Sequence, residues 1–199
     1  TVHQEHTGFT EACASSCRDE AGRNSYEWLA EIVPSNECLN VLDLACGSGP
    51  LLKILFDRNK NLNLKGIDMC PEELMLAKKL LINSRVNLIE SKAQNLSAIN
   101  DNSIDIVLCH WALTLMDPIA PVLDEVKRVL NTKGQFAALV DGPMNTAPGY
   151  KEVHDLIYSY VQEEIPSYGD IDLGDPRIRG SKSLNDLANK TFPKANVTI

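Results

Sequence analysis

Val41-Leu42-Asp43-Leu44-Ala45-Cys46-Gly47-Ser48-Gly49-Pro50 is the stretch from which the rest of the chain is read. From Asn40 the chain runs to Leu44, and Val41 to Leu44 is apolar except for Asp43, the pattern of a central strand covered on both faces. Gly47 and Gly49 allow a tight turn and a close approach of the backbone to a ligand. Pro50 suits the first turn of a helix, where its missing N–H leaves no bond unmade. The helix then offers free N–H groups above the turn, a place for a nucleotide-like ligand. A plain strand-to-helix turn that binds nothing would use the same glycines. Asp43 favours a ligand, because a carboxylate on a buried strand needs a partner. A cation or a hydroxyl would supply one.

Outward from this turn, strands and helices alternate. A helix from Glu20 carries Ser25, Trp28, Leu29, Ile32 and Val33 on one face and stops at Pro34. After the turn, Leu51, Leu52, Ile54, Leu55 and Phe56 mark a strongly apolar helix. Leu62 to Ile67 is a second strand ending at Asp68. Pro71-Glu72-Glu73 opens the next helix with acids at its positive end, and Leu74, Ala77, Leu80 and Leu81 form its buried face. Val86 to Glu90 is a third strand, Ser91 to Ser103 a polar loop, and Ile104 to Cys109 a fourth strand. Asp117-Pro118 starts a helix that turns Val122, Leu123, Val126, Val129 and Leu130 inward. Lys133-Gly134 reads as a turn and Gln135 to Val140 as a fifth strand.

This alternation predicts an α/β fold, a doubly wound and mostly parallel sheet with right-handed crossovers. Beyond it the rhythm breaks. Tyr150 to Ile165 is an amphipathic helix with Val153, Leu156, Ile157, Tyr160, Val161 and Ile165 on its apolar side. Pro166 to Gly180 is a loop, and Ser183 caps a helix carrying Leu184, Leu187 and Ala188. The expected division is a helical cap at 1–38, a ligand-binding α/β core at 39–142 and a helical lid segment at 143–195. Residues 196–199 open a further core strand.

A net charge of −8 without a basic stripe argues against nucleic acid as a partner. No apolar run reaches about 18 residues, so no membrane span is expected. Cys13, Cys17, Cys38, Cys46, Cys70 and Cys109 form no CxxC pair, and the N-terminus lacks the order of a signal peptide. Free thiols in a reducing cytoplasm are the simplest account. Cys13 and Cys17 could share a helix face, but a metal site would need further ligands, and none is expected.

In a doubly wound sheet, ligands sit beyond the carboxyl ends of the strands. Asp43 and the Ala45–Gly49 turn follow the first strand there, Asp68 ends the second, Ala93-Gln94 follows the third and Cys109-His110-Trp111 follows the fourth. Asp68 lies roughly 20 residues past the turn, a spacing at which an acid binds ribose hydroxyls. It would equally serve as a cap for the helix at Pro71. The glycine order is not the G-x-G-x-x-G of a dinucleotide site, and an acid ahead of the turn suits a cationic ligand better than a pyrophosphate.

Asp-Leu-Ala-Cys-Gly-Ser-Gly at 43–49 closely resembles the first motif of class I S-adenosylmethionine-dependent methyltransferases. Gly66-Ile67-Asp68-Met69 resembles their ribose-binding strand end. Asp101-Asn102-Ser103-Ile104-Asp105-Ile106-Val107 resembles their approach to the fourth strand, and Val126-x-Arg128-Val129-Leu130-x-x-x-Gly134 their helix end. The likeness covers about residues 25–142 and is nearest to a small-molecule, quinone-biosynthesis-like branch. It implies a Rossmann-like fold whose sheet would continue past Ile199, the chain being truncated before its last strand. It implies S-adenosylmethionine as cofactor, S-adenosylhomocysteine as product, and a small-molecule acceptor methylated by in-line displacement.

The resemblance also implies residue roles. Asp43 and the backbone of Ala45, Cys46, Gly47 and Gly49 would hold the methionine end, Asp68 the ribose diol, and Met69 the adenine face. Ala93 and Gln94 would meet the adenine edge, and Cys109 and His110 would floor the pocket near the sulfonium. Ala45 replaces the commoner first glycine, and Lys92 stands where an acid is usual. No catalytic side chain is fixed by the motifs. His110 is a candidate base or substrate contact, Asp141 a candidate for a substrate amine, Trp111 for stacking, and Tyr150, Tyr160 and Tyr168 for a lid. Two other readings remain: a silent S-adenosylmethionine-binding scaffold, and an NAD-dependent oxidoreductase, which lacks the expected glycine spacing and a Tyr-x-x-x-Lys pair.

Overall fold

A computed structural model of the chain describes residues 14, 16–141, 148–166 and 174–193. The expected strand at 196–199, most of the segment at 1–20 and Tyr168 lie outside these. The chain forms two compact units, Thr1–Ala112 with Ala120–Leu139, and Leu113–Ile119 with Val140–Ile199. The helix before the first strand therefore belongs to the unit that contains the sheet.

In the first unit, β1 (Asn40–Leu44), β2 (Asn63–Asp68), β3 (Asn87–Glu90), β4 (Ile104–His110) and β5 (Leu130–Leu139) form one sheet in the order β3-β2-β1-β4-β5. Every pairing is parallel. The chain starts in the middle, winds outward through β2 and β3, and returns to β4 beside β1. That return makes the switch point at the ends of β1 and β4.

The central strands β1 and β4 are buried on both faces because both are covered. Val41, Leu64, Ile106 and Leu108 pack with Leu29, Ala30 and Val33 of the α1 region (α1, Ser25–Ala30). The same cluster takes Leu51, Leu52 and Leu55 of α2 (Pro50–Arg58) and Leu74 and Ala77 of α3 (Pro71–Leu80). Leu42, Leu44, Val107 and Cys109 alternate with them and point the other way, and they are equally buried. α4 (Ile119–Val129) buries Val122, Leu123, Val126 and Val129, as its periodicity predicts, but Leu130, expected on the same helix face, is the first residue of β5 and pairs with Ile104.

Gly66 is required by this packing. A Cβ there would lie 2.6 Å from Leu52 Cδ1, 2.8 Å from Cys46 Sγ and 2.9 Å from Leu88 Cδ2. Arg128, at the end of α4, donates to Glu125 and Asp101 and to the carbonyls of Leu96 and Ile99. Asn102 N–H and Ser103 N–H bond to the carbonyls of Arg128 and Val129. The two motifs at 101–107 and 126–134 are thus one structural joint, fastening the loop before β4 to the end of α4.

Four further expectations need correction. The first helix starts at Ser25, because Asn24 and Glu27 form a capping box, each side chain bonding the other's N–H at 2.8 Å. That phase buries Tyr26 and leaves Trp28 45% exposed. Leu80 points outward, leaving Leu74, Ala77 and Leu81 as the buried face of α3. Lys133-Gly134 is an irregularity inside β5, where Ile104 pairs with Leu130 and Ile106 with Gln135.

The fourth correction concerns the second unit, which contains α5 (Tyr150–Glu164) and α6 (Ser181–Thr191). Ser183 does not cap α6. Gly180 holds that position, and the Ser183 hydroxyl donates to the carbonyls of Gly180 and Arg177. The apolar side expected for α5 is exposed: Val153, Leu156, Ile157 and Tyr160 each show more than half their surface. Asp175 is buried and ion-paired to Arg177, whose guanidinium holds its carboxyl below the usual carboxylate range. Among the described residues, no helix is long and apolar enough to cross a membrane.

Candidate functional site

The site is built where β1 gives way to α2. Asp43 pairs in register with Gly66 on one side and Leu108 on the other, and it is 2% exposed. No hydrogen-bond donor among the described residues holds its carboxyl. Burial, and secondarily the Asp68 charge, push its pKa up to about 8. Three left-handed residues follow, Ala45 at φ 59°, Gly47 at 52° and Gly49 at 86°. Only Ala45 adopts this conformation against its side chain, the kind of strain that collects at ligand clamps. Gly49 also admits α3, since a Cβ there would stand 3.2 Å from Ala77 Cβ.

Asp68 does more than either role considered for it. Its Oδ2 accepts from Gly47 N–H at 2.8 Å and its Oδ1 from Cys70 N–H at 2.9 Å. It therefore pins the glycine turn and shapes the entry to α3 together. Each carboxylate oxygen keeps a second lone pair for a ligand hydroxyl. Cys46 contributes no free group: its N–H bonds Ile67 O at 2.9 Å, and its thiol is buried. Burial above all, and then the charges of Asp43 and Asp68, drive that thiol well above its ordinary pKa.

Met69 is 64% exposed and follows Asp68 in the chain. Ala93 and Gln94 form a half-buried turn after β3, and Lys92 beside them is exposed. Cys109 is fully buried. Asp141 lies exposed just past β5, and Tyr160 is exposed on α5.

Extending the register by two residues from Asp43 brings Ala45 level with Asp68 on one side and with His110 on the other. At one strand spacing per step, Asp68 and His110 flank the turn roughly 10 Å apart. His110 is buried, and Nε2 lies 2.8 Å from Ser25 Oγ. Its ring stacks on Tyr26 at 3.7 Å between centroids and 19° between planes, and Trp111 lies tilted at 4.8 Å. Burial lowers its pKa to about 4. Such an imidazole is neutral at physiological pH and a weak base, suited to a hydrogen bond more than to proton abstraction. Trp111 takes φ 51° as its N–H bonds Leu139 O.

The sequence reading missed Ser25 and Tyr26. They are 85 and 84 residues away from His110 in the chain, and no local pattern announces such a contact.

Residues 42–138 match a family described as a methyltransferase domain. Over this stretch, just under half of the chain, the sequence is similar to that methyltransferase family. It is 31% identical over 150 residues to demethylmenaquinone methyltransferase of Thermotoga maritima, across 75% of this chain and 61% of that relative. It is 29% identical over 137 residues to malonyl-[acyl-carrier protein] O-methyltransferase of Pectobacterium atrosepticum, across 66% and 52%. The chain therefore spans between 52% and 61% of these relatives' lengths. The crystal structure of the YcgJ protein of Bacillus subtilis superposes with a TM-score of 0.62 over 84% of this chain and 67% of that one. At 17% identity that likeness concerns the fold alone.

The residues present suit the methyltransferase family's cofactor. Asp43 is a buried carboxyl without a donor among the described residues, suited to a cationic group, and the turn beside it consists of backbone with little side chain in the way.

Proposed function

We propose that the chain transfers a methyl group from S-adenosylmethionine to a small-molecule acceptor. The observation that carries this reading is Asp43, a buried acid with no donor, level with a glycine turn pinned by a second acid. When bound, S-adenosylmethionine supplies a methyl group on a positively charged sulfur. Asp43 would release its proton as the cation arrives and hold the methionine end. The N–H of Gly47 is engaged by Asp68, so its carbonyl and that of Ala45 are the groups left for an ammonium. Asp68 would accept from the ribose diol with its remaining lone pairs, Met69 would cover the adenine, and Ala93 and Gln94 would border its edge. Cys109 and His110 would close the floor. Holding donor and acceptor aligned at near-contact distance supplies much of the rate in such a displacement. A base is needed only where the acceptor carries a proton.

Calorimetric titration with S-adenosylmethionine and, separately, NAD tests the cofactor. Binding of NAD with no response to S-adenosylmethionine overturns the reading. Formation of S-adenosylhomocysteine is then followed by mass spectrometry over a panel of small acceptors. The names of the two relatives suggest demethylmenaquinone and malonyl-[acyl-carrier protein] as the first acceptors to try on that panel. Cofactor binding without turnover on any acceptor would favour a silent scaffold.

A further inference from the structure

α1 lies outside the stretch that matches the family, yet its first two residues hold a residue of the site. Asn24 and Glu27 close the capping box, and Arg18 ties Glu27 at 2.7 Å, which together fix where Ser25 begins the helix. Ser25 Oγ then stands 2.8 Å from His110 Nε2, and Tyr26 lies flat against the same ring. The other ring nitrogen, Nδ1, is buried without a hydrogen-bond partner among the described residues. A protein tolerates an unpaired buried nitrogen where a ligand or a fixed orientation repays it. The ring sits level with Ala45, opposite Asp68, and is followed by Trp111 in a left-handed conformation.

We infer that Ser25 and Tyr26 are positioning residues of the cofactor site, acting through His110. The inference rests on the reading of that site as one for S-adenosylmethionine. An imidazole can flip about χ2 and tilt about χ1. A bond to one nitrogen selects one flipped orientation, and a stacked phenol ring blocks the tilt. The hydroxyl can donate or accept, so the bond holds whichever nitrogen carries the proton. The ring becomes a fixed wall beside the glycine turn, and α1 becomes part of the binding site instead of a loose cap over it.

The test uses S-adenosylhomocysteine as probe with the full chain, by calorimetry, and the His110 ring 15N resonances by NMR, assigned with His110→Gln. Ser25→Ala is expected to weaken binding about fivefold, the worth of one neutral hydrogen bond, and to move the His110 resonances. Ser25→Thr keeps the hydroxyl and is expected to bind within about twofold of the wild type with the resonances in place. Tyr26→Leu removes the stack and is expected to weaken binding by a factor similar to that of Ser25→Ala. Wild-type binding with an indifferent Ser25→Ala overturns the inference alone. Equal losses in Ser25→Ala and Ser25→Thr also overturn it, because the helix start and not the hydroxyl would then matter. Failure of the wild type to bind the probe overturns the functional reading and this inference with it.

Discussion

Asparagine at position 43 keeps the shape of the aspartate and removes its charge. The Asp43 carboxyl has a pKa of about 8 in the fold against 3.8 in an unperturbed chain. The folded state therefore holds the proton more tightly than the unfolded state. Stability is fullest below about pH 4, falls as pH rises, and levels off above about pH 8. At about 1.4 kcal/mol per unit, ionising Asp43 costs about 4 kcal/mol at pH 7 and about 6 kcal/mol at pH 9. The new amide is buried without a partner too, which returns about 1–3 kcal/mol of that gain. The net expectation for Asp43→Asn is a stabilisation of about 2 kcal/mol at pH 7, or roughly 4–8 °C in Tm for a chain of this size. Melting the ligand-free protein at pH 4.5, 7 and 9 checks it. The advantage of the variant should vanish at the lowest pH and widen at the highest. A difference that stays constant with pH, or a variant less stable than the wild type at pH 9, would refute the reasoning. The same variant should bind S-adenosylmethionine about 10- to 100-fold more weakly, since it loses a charged hydrogen bond.

Asp68→Ala should weaken S-adenosylhomocysteine binding by about 1.5–3 kcal/mol in calorimetry. Unchanged affinity would leave Asp68 as a brace for the Gly47 turn and the start of α3. Gly66→Ala forces a methyl group between Leu52, Cys46 and Leu88, and should cost about 1–3 kcal/mol in urea unfolding. Arg128→Met strands Glu125 and two loop carbonyls, and should lower the urea midpoint by an amount equivalent to about 2–3 kcal/mol with little change in m-value. A loss below about 0.5 kcal/mol would mean that water replaces the guanidinium freely.

The parallel sheet was legible because every βα unit announced itself. Gly47, Gly49 and Pro50 punctuate the first, Asp68 and Pro71 the second, and the inward residues of α4 follow helical spacing up to Val129, where Leu130 passes into β5. Periodicity worked less well where an element is short. α1 spans six residues, too few for a moment to fix its phase, and the capping box decided between Tyr26 and Trp28. Periodicity also names an apolar face without naming what meets it, as Val153, Leu156 and Ile157 on α5 illustrate. At the site, Asp43 was readable as a misplaced charge on a buried strand. The bond from Gly47 to Asp68 and the clasp of Ser25 and Tyr26 on His110 were not, because tertiary contacts between distant residues leave no local trace. The shared motif around Arg128 was recognisable, but its physical purpose, joining a loop to a helix end, emerges only in three dimensions.

The loop from Ser91 to Ser103 contains no regular strand or helix, yet Asn95, Leu96, Ile99, Asn102 and Ser103 all have their N–H groups bonded. Leu96 and Ile99 are buried beneath it, and Arg128 clamps its carbonyls. In hydrogen–deuterium exchange this segment should open with the sheet and not ahead of it, an island of slow amides where a ribbon drawing shows only coil. Ala93 and Gln94 sit at its edge. If they border a ligand ring as proposed, that ring would meet a surface with the rigidity of the core and would give up little of its binding energy to ordering the protein.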